Sequence, residues 1–419
     1  MLTEAHVTQT SITFDGLKAP VLLNDADSLL PTIRAVLPSW NFSTHCADPA
    51  VVPSAVLTNV GNNIYRCQLR DPAEPARRWD AVNAVCEMIV ALAWEQIEAN
   101  PSWLCLHCAA VEIDGRLVLF PNRRRSGKST LTAVLAHRGY RVFTDDFLPV
   151  QIDSNGYMNG FANGIAMRIR QPLPAEFSET FQEWAIRTTV TANKQYAYLS
   201  PKTLAARGET LPIGAIVVLD RTDTYDLAEL SPVSEADVLD DLVTQNFARI
   251  THSGRILQAS YGVARSAQRF RLTYSSAEAA ADQLERALVG TQAQLLPVPE
   301  LHEMPAEVDL GTVDTALLPA FDNSTSFHRV PHFTEVGLGD QHYVADAYGV
   351  GIHRMNPGSR VIWTILEEPA SLSEICSILS AAFPETSVEQ ISQDAEATLQ
   401  QFMECHLIQP VDRNSGMTE

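Results

Sequence analysis

Arg116-Leu-Val-Leu-Phe-Pro-Asn122-Arg-Arg-Arg-Ser-Gly127-Lys128-Ser129-Thr130 runs from an apolar strand through a polar loop into a Gly-Lys-Ser-Thr helix start. The phosphate-binding pattern is glycine, four residues, then Gly-Lys-Ser/Thr. It fits at every position but the first, where Asn122 replaces glycine. Asparagine is the best substitute, because its short polar side chain tolerates positive φ. In such a loop the backbone N–H groups from Asn122 through Arg123, Arg124, Arg125, Ser126 and Gly127 to Thr130 curl around anionic oxygens at a helix N-terminus. Lys128 then reaches the β- and γ-phosphates, and Ser129 offers its hydroxyl to Mg²⁺. The bland alternative is an ordinary strand-to-helix turn, and the surrounding sequence decides between the two. Arg123 to Arg125 read either as solvated loop residues or as cations that neutralise phosphate or an acidic substrate.

Downstream, Leu131, Val134 and Leu135 mark one helix face, which ends at Arg138-Gly139. The strand Tyr140-Arg-Val-Phe-Thr-Asp145-Asp146 follows. Strand, loop, helix and strand make one βαβ unit, which places Asp145 and Asp146 at a carboxyl strand end beside the loop, where a metal-binding carboxylate belongs. Upstream, Leu104 to Ile113 reads as a strand, Asp114-Gly115 as a turn and Leu117 to Phe120 as its hairpin partner. Cys105 and Cys108 form a CxxC on that strand. Residues three apart on a strand diverge, and no second Cys/His pair accompanies them, so both read as buried free thiols.

The stretch from Leu106 to Asp146 resembles the catalytic core of HPr kinase/phosphorylase and its relatives. The resemblance rests on His107 in a Leu-His strand, the loop with Lys128 and Ser129, and Arg138-Gly139-Tyr140-Arg141 leading to Asp145-Asp146. It implies that His107 lies near the phosphates, that Asp145 with Ser129 holds Mg²⁺, and that Asp146 is the base toward a serine hydroxyl. The family's Glu-x-Arg-Gly segment is missing. Gly164-Ile-Ala-Met-Arg168-Ile-Arg170 stands in its place, so HPr itself is not the expected substrate. Arg168, Arg170 and Lys194, one of four lysines, are candidate phosphate or substrate contacts.

From Val336 the sequence reads as a hairpin through Tyr343 to Asp346 and Gly351 to Asn356, then a helix opened by Pro357. Ser371-Leu-Ser-Glu374 is a capping box for a second helix through Phe383. Val388 to Met403 forms a third, with Ile391, Ala395, Leu399 and Phe402 on one face. Two strands followed by three helices predict a winged helix, which resembles the PqqD family of leader-peptide recognition elements. In that family a leader adds as an extra strand to a hairpin edge, with pockets against the last helix. The matching edge here is Val350, Gly351, Ile352, His353 and Arg354. Residues 330–419 hold thirteen acidic side chains against three arginines and no lysine, a net of −10, which repels a nucleic-acid duplex.

The expected organisation is an α+β N-terminal region over 1–100, an α/β P-loop kinase core over 101–289, a proline-punctuated linker over 290–329 and the winged-helix PqqD-like domain over 330–412. Within the core, Ile213 to Leu219 reads as a buried strand, and 236–250 and 277–288 read as helices. A net charge of −20 speaks against anionic membranes, no segment has transmembrane length, and seven scattered cysteines fit a reducing cytoplasm. The combined expectation is an ATP- and Mg²⁺-dependent kinase acting on a Ser/Thr hydroxyl of a ribosomally made precursor peptide held by its own C-terminal domain. A non-catalytic, nucleotide-switched peptide scaffold and a kinase of a small hydroxylated molecule are the alternatives. A homo-oligomer is compatible with the resemblance to the kinase core.

Overall fold

The computed structural model describes residues 8–70, 75–100, 103–121, 126–223, 227–246, 252–291, 295–298 and 324–411. The chain divides into two units, Met1–Ala248 with Val263–Pro299, and Arg249–Gly262 with Glu300–Glu419. Asn122 to Arg125 and most of the expected linker lie outside the described residues.

The first unit opens with a six-stranded sheet in the order Phe42–Cys46, Gln9–Phe14, Val21–Asn24, Ala55–Asn59, Ile64–Leu69 and Arg77–Asp80. Against it pack the helices Leu30–Val36 and Ala81–Ala99, in a core that includes Ile12, Leu23, Ile33, Leu57 and Leu92. Asp80 starts the long helix, accepting from Asn83 N at 2.9 Å. Asn193 fixes that cap from outside, donating to both Asp80 carboxylate oxygens at 3.1 and 2.9 Å.

The second sheet runs Val142–Thr144, Ala109–Ile113, Arg116–Phe120, Thr210–Arg221, Met158–Phe161, Leu148–Ile152 and Leu104–Leu106, with Gln268–Tyr274 beside the second half of the long strand. Arg116–Phe120, Thr210–Arg221 and Gln268–Tyr274 are mutually parallel, so their carboxyl ends share one edge. Helices Lys128–His137, Glu179–Thr188 and Ala277–Leu288 cover the sheet through Leu131, Val134, Phe181, Ala281 and Leu284. A small sheet of Met167–Arg170, Tyr196–Leu199 and Thr189–Ala192 completes the unit.

Two expectations change here. The strand expected from Leu104 to Ile113 is broken at His107-Cys108, and its first half pairs antiparallel with Leu148–Ile152 instead of extending the hairpin. The βαβ unit is split as well, because Ala109–Ile113 lies between the loop strand and Val142–Thr144 and is antiparallel to both. The cause is the tight turn at Asp114 (φ 50°) and Gly115 (φ 73°), which folds Ala109–Ile113 onto that flank of the loop strand. Val142–Thr144 still ends on the loop side. The break also removes the reason given for keeping Cys105 and Cys108 apart. Both are buried free thiols, and burial pushes Cys108 up to about 12.

The second unit carries a meander of three antiparallel strands, Thr334–Leu338, Gln341–Ala345 and Ile352–Met355, rather than two. Helices Pro357–Ile365, Leu372–Ala382 and Val388–Glu404 follow. A further small sheet joins Ser326–Arg329 to Ala370–Ser371 and Ile408–Pro410. Trp363, 1% exposed, sits in the core with Phe327, Val344, Ile375, Leu399 and Phe402. Truncating a ring buried in this way costs about 3–5 kcal/mol. The helix expected over 236–250 is shorter, Glu235–Thr244, and a helix the periodicity did not single out spans Ser253–Ser266.

Candidate functional site

Ser126 and Gly127 lead into the helix Lys128–His137, with Gly127 at φ +91° and Leu131 N donating to its carbonyl at 2.9 Å. Only glycine fits there, because a Cβ would strike the Tyr274 hydroxyl. That hydroxyl donates to the Ser126 carbonyl at 2.8 Å and so fixes the loop from the carboxyl end of Gln268–Tyr274, the parallel strand beyond Thr210–Arg221. Lys128 is 8% exposed at the first helical position, and Thr130 lies in the same first turn. Among the described residues the Ser126 Oγ, shielded from solvent, has no hydrogen-bond partner, a polar atom left for a ligand to satisfy.

Asp145 and Asp146 follow the strand Val142–Thr144 and divide by environment. Asp145 is 8% exposed, and its Oδ2 accepts from Arg168 N at 2.8 Å. The Ser129 hydroxyl also bonds to its carboxyl. Burial first, then the neighbouring Asp146 charge, push its pKa up to about 7. Asp146 is 48% exposed, and its Oδ1 lies 3.3 Å from His107 Nδ1. His107 is fixed by its own backbone N–H, which donates to the Gln245 carbonyl at 2.7 Å.

A pocket of about 40 Å³ opens between these groups, lined by Ser129, Asp145, Asp146, Arg168, Tyr198 and Cys86 among others. That volume suits an ion or one or two waters. The donors are oxygens from one hydroxyl and two carboxylates, the hard set that Mg²⁺ takes when nucleotide phosphates and water supply its remaining ligands. Among the described residues no group of three or more His, Cys, Asp or Glu side chains forms a metal cage of its own.

The structure thus gathers Ser129, Asp145, Asp146 and Arg168 around one pocket, with His107 beside Asp146 and Lys128 in the adjoining turn. It does not gather Arg170 or Lys194. Arg170 is exposed at the end of its strand, and Lys194 is exposed in the turn between Thr189–Ala192 and Tyr196–Leu199. Periodicity and motif reading missed three contributors. Cys86 and Ile89 reach the pocket from the helix Ala81–Ala99, in a region that shows no motif. Tyr198 lines it beside Cys86, to which its side chain is hydrogen-bonded, and Arg168 donates to Cys86 Sγ while its guanidinium lies 4.8 Å from the Tyr196 ring centroid. Their i, i+3 spacing on a helix is the only trace that Cys86 and Ile89 leave in the sequence.

In the second unit, Ile352–Met355 pairs with Gln341–Ala345 on one side only among the described residues, which leaves its other backbone edge open. The turn before it is fixed by Asp346, whose carboxylate accepts from Tyr348 N at 2.9 Å, Val350 N at 3.1 Å and Gly351 N. Val350 is 56% exposed at the head of this edge, Gly351 and Ile352 are partly exposed, and Arg354 points to solvent. His353 is half-buried, and burial holds its imidazole below the ordinary value. Just beyond the edge, a groove of about 490 Å³ is lined by Asn356, Ser359 and Ile362, by Leu379 and Phe383, and by Ile391, Asp394, Thr398 and Gln401 of the last helix.

Residues 344–408 match the model of the family described as coenzyme PQQ synthesis protein D. They form a PqqD domain. Among solved structures, the Hpr(Ser) kinase/phosphatase from Coxiella burnetii is similar to this chain over 41% of it and 85% of that protein, with 12% sequence identity and a TM-score of 0.20. No curated protein matches the chain. The PqqD match begins within the middle strand of the meander and ends at Ile408, so the open edge and the groove both fall inside it.

Proposed function

We propose that this protein is an ATP- and Mg²⁺-dependent kinase that phosphorylates a Ser/Thr hydroxyl of a ribosomally made precursor peptide captured by its PqqD domain. The observation that carries the reading is the division of labour between two adjacent carboxylates. Asp145 is buried against Ser129 and the Arg168 N–H, and Asp146 is half-exposed beside His107.

Lys128 and the loop N–H groups hold the β- and γ-phosphates, with Ser126 Oγ as a further donor. Ser129 and Asp145 would hold Mg²⁺, which when bound would neutralise charge on the phosphate oxygens. Asp146 accepts the proton of the acceptor hydroxyl as its oxygen bonds to the γ-phosphorus and the bond to the β-bridging oxygen breaks, releasing ADP. His107 orients the Asp146 carboxylate through the 3.3 Å contact. Arg168 adds positive charge at the pocket wall. The peptide adds along the open edge at Ile352–Met355 and seats side chains in the adjacent groove. Capture in this way raises the local concentration of the acceptor, so the catalytic site need bind it only weakly.

Titration calorimetry with Mg-ATP tests the reading. The wild type is expected to bind saturably, Lys128→Ala to lose binding, and Asp146→Asn to keep binding while losing phosphoryl transfer to the precursor peptide. An absence of nucleotide binding by the wild type, with and without peptide, would falsify it.

A further inference from the structure

The sheet order places two different sets of groups on the two flanks of the loop strand Arg116–Phe120. The strand Val142–Thr144, which delivers Asp145 and Asp146, lies on one flank. On the other, in direct parallel pairing with the loop strand, runs Thr210–Arg221, followed by Gln268–Tyr274. A nucleotide seated on the loop with its terminal phosphate at the carboxylates must therefore extend its remaining part over the carboxyl ends of those two strands.

Arg221 and Tyr274 stand at those ends, paired in register as the last residues of their strands. The Tyr274 hydroxyl is already engaged with the Ser126 carbonyl, which makes it a positioning residue for the loop. Arg221 is different. It is exposed, and its Cδ lies 3.8 Å from where a Cβ on Gly127 would stand, so its stem runs alongside the loop. Arg70, Arg138, Arg141, Arg269 and Arg329 are ion-paired, whereas Arg34, Arg187 and Arg271 make no ion pair among the described residues, so position beside the loop is what sets Arg221 apart. The Arg221 guanidinium makes no hydrogen bond or ion pair among the described residues. An unpaired planar cation beside a phosphate loop has the geometry for bidentate contact with phosphate oxygens.

We propose that Arg221 binds the nucleotide on the flank opposite the catalytic carboxylates, at the α-phosphate. This deepens the kinase reading and rests on it, because it requires the loop to hold a nucleotide. Arg221 contacts a phosphate retained in both ATP and ADP, whereas the Asp145 side of the loop faces the γ-phosphate that only ATP carries. Loss of the guanidinium therefore weakens both nucleotides to the same degree.

The experiment is calorimetric titration of the full chain with Mg-ATP and with Mg-ADP, for the wild type, Arg221→Gln and Arg221→Lys. An exposed side chain without partners is replaced without unfolding, and an unchanged melting temperature checks that. Both nucleotides are expected to bind Arg221→Gln about tenfold or more weakly, in line with the loss of a charged hydrogen bond, with partial recovery in Arg221→Lys. Wild-type affinity in Arg221→Gln overturns the inference and leaves the kinase reading standing. Weakening of ATP alone overturns it too, because it moves Arg221 to the γ-phosphate. Failure of the wild type to bind either nucleotide overturns both readings.

Discussion

Asp145 is the buried carboxylate whose ionisation bears on stability and, under the proposed function, on metal binding. Burial raises its carboxyl from an ordinary 3.8 to about 7, so the folded chain holds a proton that the unfolded chain releases between those values. The stability this provides is complete below pH 4 and is lost as pH rises through 7, a difference of up to about 4 kcal/mol for three pH units. In Asp145→Asn the buried group cannot ionise. Without Mg²⁺ at pH 8 this variant is therefore expected to melt above the wild type, while added Mg²⁺ and nucleotide raise the melting temperature of the wild type only. A metal-free variant that melts below the wild type at pH 8 contradicts the assignment of a buried, strained carboxylate. Much of this site was legible because His107, Lys128, Ser129, Asp145 and Asp146 fall in one stretch with recognisable spacing. Cys86 and Tyr198 were not, since a thiol on a mostly apolar helix and a tyrosine on a short strand look like core residues until the tertiary fold turns them toward the pocket.

At the level of elements, local chemistry was read well and long-range pairing was not. The capping box expected at Ser371 forms, with the Glu374 carboxylate accepting from Ser371 N at 2.8 Å, and a second one that was not expected forms at Asn356, whose Oδ1 accepts from Ser359 N at 2.8 Å. Caps depend on residues three apart, so they are visible in sequence. The break at His107 is set by the antiparallel partner at Leu148–Ile152, about forty residues on, and nothing local announces it. The third meander strand was overlooked because Thr334–Leu338 holds Gly337 and Glu335 among its apolar residues, which dilutes the alternation. The cap at Asn356 has a specific consequence, because the same residue also lines the groove. Asn356→Ala is expected to destabilise the chain by about 1 kcal/mol and to splay the first turn of Pro357–Ile365, weakening peptide binding. Asn356→Ser restores the cap and should recover the stability in urea unfolding. Equal destabilisation by both substitutions counts against the cap as the cause.

Across the whole molecule, charge and capture act together. The chain carries a net −20, and thirteen acidic residues against three arginines lie in residues 330–419, so a peptide with basic residues is the expected partner of the PqqD domain. Among the described residues no helix is long and apolar enough to cross a membrane. If capture by the PqqD domain supplies most of the affinity for substrate, damage to the groove and damage to the phosphate loop separate kinetically. Thr398 lines the groove from the last helix. Placing a long cation there, as in Thr398→Arg, fills the groove and repels basic side chains. The expected result is a rise of tenfold or so in KM for the full precursor peptide, with kcat at saturating peptide and Mg-ATP affinity unchanged, the pattern of lost uniform binding. A precursor lacking its leader segment should react as slowly with the wild type as with Thr398→Arg, because neither pairing uses the groove. If instead Thr398→Arg phosphorylates the full precursor with wild-type KM, recognition does not pass through this groove, and the kinase site selects its acceptor alone.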